Sequence, residues 1–424
     1  MTVDTDTDTD TDTVADTDAG AAAGAATASA PDAALVAAAA ELLPGLQDLR
    51  RRLHAEPETG LVLPATQAAV LAALEGLGLE ITTGTATTSV VAVLRGGSPG
   101  PTVLLRGDMD ALPLAEQTGL DYQATNGSMH ACGHDLHTAG LVGAARLLAA
   151  RREELVGDVL LMFQPGEESW GGAEIMIEEG LLDASGSLPV AAYALHVGPG
   201  ERGAFQSRPG PVMASSNSFY ATYRGDGGHG STPWKVADPV PAVAELTLAL
   251  STMVARRTSV FDPAVLSVTM LNGSATRNVI PETAGLGATV RAHSEGALAI
   301  LERETVRLAE GIGDAHGLAT TAEFSRHYPP TVNDADEVLR VEEAVAALFG
   351  PGRYATMPHP MMGSEDFSFV LERVPGAFVM VGASPDGVDP ASCAANHSPY
   401  VVFDDAVLGD MAALLAHLAL TRLR

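Results

Sequence analysis

Five short stretches of this chain are apolar at almost every position: Val91-Ala92-Val93-Leu94, Thr102-Val103-Leu104-Leu105, Val159-Leu160-Leu161-Met162-Phe163, Val190-Ala191-Ala192-Tyr193-Ala194-Leu195 and Ala377-Phe378-Val379-Met380-Val381. A strand with one face in water alternates apolar and polar residues, because successive side chains point to opposite faces. Runs without that alternation belong to strands covered on both faces, as in a parallel or mixed sheet layered between helices. Helical patterns separate the runs, over 33 to about 54, 137–150, 172–179 and 404–420. The first contains Pro44 yet ends in Arg50-Arg51-Arg52, cations suited to a helix C-terminus, and Gly180 is placed to stop the third. The expected class is α/β with a mixed sheet.

Between Met213 and Tyr328 the rhythm changes. The pattern predicts a strand at 218–224, a helix at 239–255, strands at 264–271 and 284–293, a helix at 295–311 and a strand near 320–324. That β-α-β-β-α-β order is the ferredoxin-like arrangement. Residues 213–328 are therefore expected to form an α+β domain inserted into a catalytic domain built from 32–212 and 329–424. Residues 1–31, an Asp/Thr alternation followed by an Ala/Gly run, cannot bury enough apolar surface to offset chain entropy, and disorder is expected there.

The 424 residues suffice for two or three domains. With 53 acidic against 24 basic residues the net charge is −29. Nucleic-acid binding needs a basic patch, and the sequence shows none. No apolar stretch is long and bulky enough to span a bilayer, so no membrane association is expected. Two cysteines, Cys132 and Cys393, provide no disulfide framework, which points to a reducing cytoplasm. Ala28-Ser29-Ala30 looks like a signal-cleavage site, but the acidic segment ahead of it is unlike the basic start of an export signal.

One cysteine lies in Met129-His130-Ala131-Cys132-Gly133-His134-Asp135-Leu136-His137, where thiol, imidazole and carboxylate crowd around a glycine. That mixture of donors suits a transition-metal site; a reactive thiol is the competing reading. Other donors follow predicted strands. Asp108 and Asp110 come after the run ending at Leu105, Glu167 and Glu168 after that ending at Phe163, and His196 directly after Leu195. In open α/β sheets the ligand crevice lies beyond the carboxyl ends of the strands, so these groups can converge there. Neighbours in extended chain point in opposite directions. One of Glu167 and Glu168 can therefore bind metal while the other faces a water; two solvated acids ahead of a helix is the plainer alternative.

These residues resemble the metal-dependent amidohydrolases of the aminoacylase, hippurate hydrolase and auxin-conjugate hydrolase type. The likeness runs from about Arg51 to the C-terminus. It is carried by Arg106-Gly107-Asp108-Met109-Asp110-Ala111-Leu112-Pro113, the His130 to His137 segment, Phe163-Gln164-Pro165-Gly166-Glu167-Glu168 and Leu195-His196-Val197. Further along come Gly227-Gly228-His229-Gly230, Asn278-Val279-Ile280-Pro281, Gly363-Ser364-Glu365-Asp366-Phe367 and Asn396-His397-Ser398. The resemblance implies a metallopeptidase-like catalytic domain whose insert serves as lid and dimerisation domain. It implies two divalent metal ions (Zn, Mn, Co or Ni) held by Cys132, His134, Glu168, His196 and His397, with Cys132 bridging. Glu167 would be the general acid/base. His229 would reach the active site of a partner subunit and stabilise the oxyanion, while Asn278 and Arg277 would help hold the substrate.

The chemistry agrees with that assignment. Paired cations lower the pKa of a water toward about 7 and polarise the scissile carbonyl, and Glu167 would carry the proton to the leaving amine. Asp110 would orient a ligating histidine, and Gly363-Ser364 would line the pocket. His130 and His137 are expected to be structural or to support the ligands; His54, His293, His316, His327 and His359 to be ordinary packing or surface residues; Cys393 to be a spare thiol. Glu365 and Asp366 are expected to cap a helix. Trp170 and Trp234 stand where relatives tend to carry glycine and histidine, and are expected near the substrate side chain. The expected substrate is a small N-acyl amino acid. Two other classes stay open: an amide hydrolase using Cys132 as nucleophile with His134 as base, and a non-catalytic ligand-binding relative.

Overall fold

The five apolar runs all lie in one eight-stranded sheet. The computed structural model describes residues 30–424, so the expectation for the acidic tail lies outside the described residues. The strands pair in the order Glu80–Thr83, Val90–Arg95, Val156–Gln164, Ser98–Asp108, Ala191–Gly198, Gly376–Gly382, Phe205–Ser207 and Tyr354–Thr356. Val156–Gln164, Ser98–Asp108, Ala191–Gly198 and Gly376–Gly382 run parallel, and antiparallel pairs join them to their neighbours on either side. The mixed α/β class is as expected.

Alternate residues of these strands feed two different cores. Val103, Leu105, Val159, Leu161, Tyr193 and Leu195 enter one, under the helices Ala30–Ala55, His134–Ala149, Ala335–Phe349 and Val407–Arg422. Leu104, Leu160, Met162, Ala192, Ala194 and Phe378 enter the other, under Gly172–Glu178 and Ser368–Leu371. Each fully buried Leu or Phe contributes roughly 1.5–3 kcal/mol by leaving water. With both faces dry there is no reason for polar residues to alternate, which is why the runs read as continuous. The helix Ala30–Ala55 carries Pro44 without ending there.

A smaller antiparallel sheet has the order Ala264–Asn272, Thr283–Ala292, Ser216–Arg224, Ala319–Tyr328. The helices Pro239–Arg257 and Glu295–His316 pack on it around Phe219, Tyr223, Leu246, Leu250, Leu286 and Leu301. This is the ferredoxin-like insert, its elements in the order the sequence suggests. Two of them run further than expected. The second helix passes Gly311 and Gly313 and stops at Gly317, whose φ of +68 closes it. Gly313 serves packing: a Cβ there would lie 1.9 Å from Thr320 Oγ1. The final strand continues to Tyr328 instead of ending near Phe324.

The chain enters the insert through Gly210–Met213 and leaves through Thr331–Asn333, and these two short strands pair antiparallel. Both crossings between the sheets are thus tied to one another. Among the described residues no helix is long and apolar enough to cross a membrane.

Candidate metal centre

Gly133 sits at φ +83 as the N-cap of the helix His134–Ala149, and a Cβ there would meet Val197 Cγ2 at 2.2 Å. Glycine alone satisfies both the backbone and the space. The tight turn brings the buried Cys132 thiol and the buried His134 imidazole to one point beside the strand Ala191–Gly198. On that strand His196 Nδ1 is 2.8 Å from Val197 O, which turns Nε2 toward Cys132 Sγ at 3.5 Å. His397 Nε2 lies 3.3 Å from the same sulfur and 3.2 Å from Glu168 Oε1. His397 holds a left-handed φ of +69, and its N–H donates to Ala131 O at 2.9 Å. Strain of that kind at a non-glycine residue persists only where the surroundings impose it, typically at functional sites.

Donor atoms of Cys132, His134 and His196 lie within 4.8 Å of one another, as do those of Cys132, Glu168 and His397. Cys132 is common to both groups, and His134 also gathers with Asp108 and His137 and with Glu167 and Glu168. Both ring nitrogens of His134 lack a hydrogen bond; the nearest carboxylates, Asp108 and Asp110, stand off at 3.5 Å. Leaving buried polar atoms unsatisfied costs about 1–3 kcal/mol each, and a bound cation removes that cost. Sulfur, nitrogen and oxygen donors in this mixture fit zinc and similar divalent ions. Burial disfavours the Cys132 thiolate, but the imidazoles of His196, His134 and His397 hold the thiol well below its ordinary range. The thiolate is the ligating form. Cys132 and Glu168 in turn push His397 up to about 10.

Behind the donors lies a network assembled from distant segments. Asp108 holds His137 Nδ1 at 2.6 Å, and Val197 N–H donates to His137 Nε2 at 2.8 Å, so His137 is structural, as expected. Asp110 accepts from the backbone N–H groups of Glu167 and Glu168 at 3.0 and 3.1 Å. It orients the glutamate loop more closely than it orients His134. Arg106, fully buried, pairs with Asp108 at 2.6 Å, Glu365 at 2.7 Å and Asp366 at 3.3 Å. The expectation that Glu365 and Asp366 merely cap a helix needs correction. Glu365 does accept the Phe367 N–H at 2.9 Å, but both acids are buried and their carboxylates gather with that of Glu167. Burial, and then the charges of Glu365, Glu168 and Asp366, raise the proton affinity of Glu167 well above that of an ordinary carboxylate.

His54 also differs from expectation. It is buried between Asp135 at 2.8 Å and Glu116 at 3.1 Å, and Asp135 also receives Arg50 at 2.7 Å. Nothing in the local sequence signals this, because Asp135 and Glu116 come from segments far from the helix that carries Arg50 and His54. His130 is buried too, and burial above all holds it neutral, with its pKa pulled down to about 3.

Cys132, Glu168, His196 and His397, with Glu167, line a cavity of about 730 Å³ between the two sheets, and His134 lies buried behind them. Its walls include Met213, Arg291, Tyr328, Met361, Gly363 and Met380. Gly363 lies where expected. His327 also lines the cavity, contrary to its reading as an ordinary residue. Trp170 and Trp234, expected near the substrate, are 60% and 76% exposed and do not line it. Arg291 projects from the strand Thr283–Ala292, half-buried, with burial lowering its pKa. Its guanidinium reaches Ser215 O and Ser364 Oγ, each at 3.4 Å, and no carboxylate pairs with it among the described residues. His229, Arg277 and Asn278 are exposed and lie outside this cavity. The pairing of Val279 with His229, and the Gly230 N–H donated to Asn278 O at 2.9 Å, keep His229 and Asn278 together on the insert.

The sequence profile of peptidase family M20/M25/M40 matches residues 104–421. The chain belongs to that family. This M20 chain is 36% identical over 377 residues to the IAA-amino acid hydrolase ILR1-like 4 of Arabidopsis thaliana, covering 88% of this chain and 84% of the relative. It is 35% identical over 345 residues to the N-acetyl-L-cysteine deacetylase of Bacillus subtilis, covering 80% of each. Among solved structures, the Bacillus subtilis YXEP protein, a dinuclear metal-binding peptidase of the M20 family, superposes with a TM-score of 0.77 at 31% identity. That superposition covers 91% of the M20 chain and 99% of the other.

Proposed function

We propose that the protein hydrolyses the amide bond of N-acyl amino acids, releasing a carboxylic acid and an amino acid. Cys132, His134, Glu168, His196 and His397 would hold two divalent cations, and Glu167 would move the proton. The observation that carries this reading is the sharing of Cys132 between two donor groups, with a glutamate of raised proton affinity beside them. The relatives named for hydrolysis of IAA-amino acids and deacetylation of N-acetyl-L-cysteine support the same bond and substrate type.

Bound cations supply Lewis acidity toward the scissile carbonyl and lower the pKa of water. The remaining work falls to the chain. Glu167, aimed by the grip of Asp110 on its N–H, takes a proton from the attacking water and returns it to the leaving nitrogen. Arg291 presents an unpaired planar guanidinium to the cavity, a match for the carboxylate of the amino acid. It takes the anchoring role the sequence suggested for Arg277. Met213, Met361 and Met380 give the acyl group an apolar and adaptable wall.

His229 and Asn278 lie outside the cavity of their own chain, and the reading assigns them to the site of a partner copy, His229 at the oxyanion. A homodimer through the insert has physical support. The edge strand Ala264–Asn272 exposes Val265, Met270 and Leu271, and Leu248 is 72% exposed on the adjoining helix. Unpaired apolar edges of this kind are usually covered. The thiolate ligand suits a reducing, cytoplasmic setting.

The test is hydrolysis of N-acetyl, N-benzoyl, indole-acetyl and long-chain acyl amino acids, with their carboxyl-free amides as controls. The acids should be cleaved and the controls spared, with activity abolished by chelation and restored by Zn²⁺, Mn²⁺ or Co²⁺. Full turnover by metal-free protein would instead favour Cys132 as a covalent nucleophile.

A further inference from the structure

The glutamate loop has a second anchor, and it comes from the other sheet. Tyr328 is the last residue of the strand Ala319–Tyr328, at the edge of the smaller sheet, immediately before Pro329-Pro330 and the exit strand Thr331–Asn333. Its hydroxyl donates to Glu167 O at 2.8 Å and accepts the Gly171 N–H at 3.0 Å. The ring is buried, with Phe369 edge-on at a centroid distance of 6.0 Å. Asp110 holds the other side of the loop through the N–H groups of Glu167 and Glu168. Between these clamps the backbone is strained. Ser169 holds φ +71, and its N–H bends back to Glu167 O at 2.7 Å. A non-glycine residue leaves that region readily unless its surroundings hold it.

We propose that Tyr328 is a positioning residue, whose hydroxyl ties the Glu167–Gly171 loop to the last strand of the insert and so sets the aim of the Glu167 carboxylate. The insert thereby acts on the chemistry from within its own chain. Closure or displacement of the smaller sheet at the Gly210–Met213 and Thr331–Asn333 ribbon moves Tyr328, and with it the carbonyl of Glu167. Two consecutive prolines directly after Tyr328 stiffen that link. The hydroxyl proton is committed to Glu167 O, which leaves Tyr328 no donor for substrate.

This inference rests on Glu167 acting as the proton carrier, and a double-mutant cycle separates the two claims. Tyr328→Phe keeps the ring and removes the clamp. Its kcat should fall at least about tenfold, since small misplacements of a catalytic group cost up to about a hundredfold. KM should move less than about threefold and two metal ions per chain should remain, because no ligand or cavity contact other than the hydroxyl is lost. In a Glu167→Gln background the same substitution should cost nothing further, because the group being aimed is gone. A Tyr328→Phe enzyme with unchanged kcat overturns the proposal, as does an equal loss in both backgrounds. If Glu167→Gln alone keeps full turnover, the assignment of Glu167 fails, whatever Tyr328→Phe shows.

Discussion

Among single residues, the proposed carboxylate anchor Arg291 allows substrate recognition to be tested apart from chemistry. Its guanidinium faces the cavity without a carboxylate partner, so its contribution is realised only when an anionic ligand arrives. Arg291→Met keeps the bulk and removes the charge. A charge-assisted bidentate pair contributes about 1.5–3 kcal/mol, so KM for N-acyl amino acids should rise roughly ten- to hundredfold, with kcat little changed. Steady-state kinetics on matched substrates with and without the carboxylate checks this; equal losses on both would show that Arg291 only supports the fold. The candidate donors were legible in the sequence because thiol, imidazole and carboxylate rarely cluster without a reason, and Cys132 does meet His134 and His196 in one group and Glu168 and His397 in another. Arg291 and Tyr328 were not legible. An arginine or tyrosine at the end of a strand is commonplace until the opposite wall of the cavity is known.

At the scale of elements, the helices Ala30–Ala55 and His134–Ala149 are joined by a buried polar staple of Arg50, His54 and Asp135. Breaking a buried pair from one side strands a charge, so Arg50→Met should destabilise the protein by about 3–5 kcal/mol, read as a lower midpoint in chemical denaturation. The pH dependence follows from the two shifts. Burial opposes ionisation of Asp135, but Arg50 and His54 hold its carboxyl well below the ordinary range. Its contribution is thus present above the unfolded carboxylate pKa and is lost as pH falls through the folded value. Burial likewise opposes the charged form of His54, yet Asp135 and Glu116 raise its pKa. That contribution is present below the unfolded histidine pKa and is lost as pH rises through the folded one. In the Arg50→Met variant the acid-side loss between about pH 5 and pH 1 should shrink, because the depression of Asp135 is relaxed; an unchanged acid slope would argue against the staple. Periodicity located most elements but misjudged ends. The helix Glu295–His316 passes two glycines because one of them packs against Thr320, a contact with no trace in the helix's own sequence.

At the scale of the molecule, the insert holds His229 and Asn278 at a separate two-stranded ribbon outside the cavity of their own chain, while its larger sheet leaves an apolar edge uncovered. If the site is completed by a partner copy, two inactive variants should complement one another. Glu167→Gln supplies an intact His229, and His229→Ala supplies an intact Glu167. In a co-expressed mixture about half the dimers are mixed and each has one complete site, giving about a quarter of wild-type activity. Activity no higher than that of the separate variants, or a monomer by light scattering, would place His229 outside catalysis in this way.

Local sequence carried the layered α/β class, the ferredoxin-like order of the insert and the candidate donor set. Those features follow from local periodicity and from residue types that are chemically unusual in combination. Only the folded arrangement brings Glu365 and Asp366 to Arg106 beside Glu167, makes His54 a buried partner of Asp135, and sets Arg291 and Tyr328 in the wall of the cavity. Each of these depends on distances between segments far apart in the chain, and side-chain proximity across packed elements is fixed by the whole core rather than by any neighbourhood of the sequence.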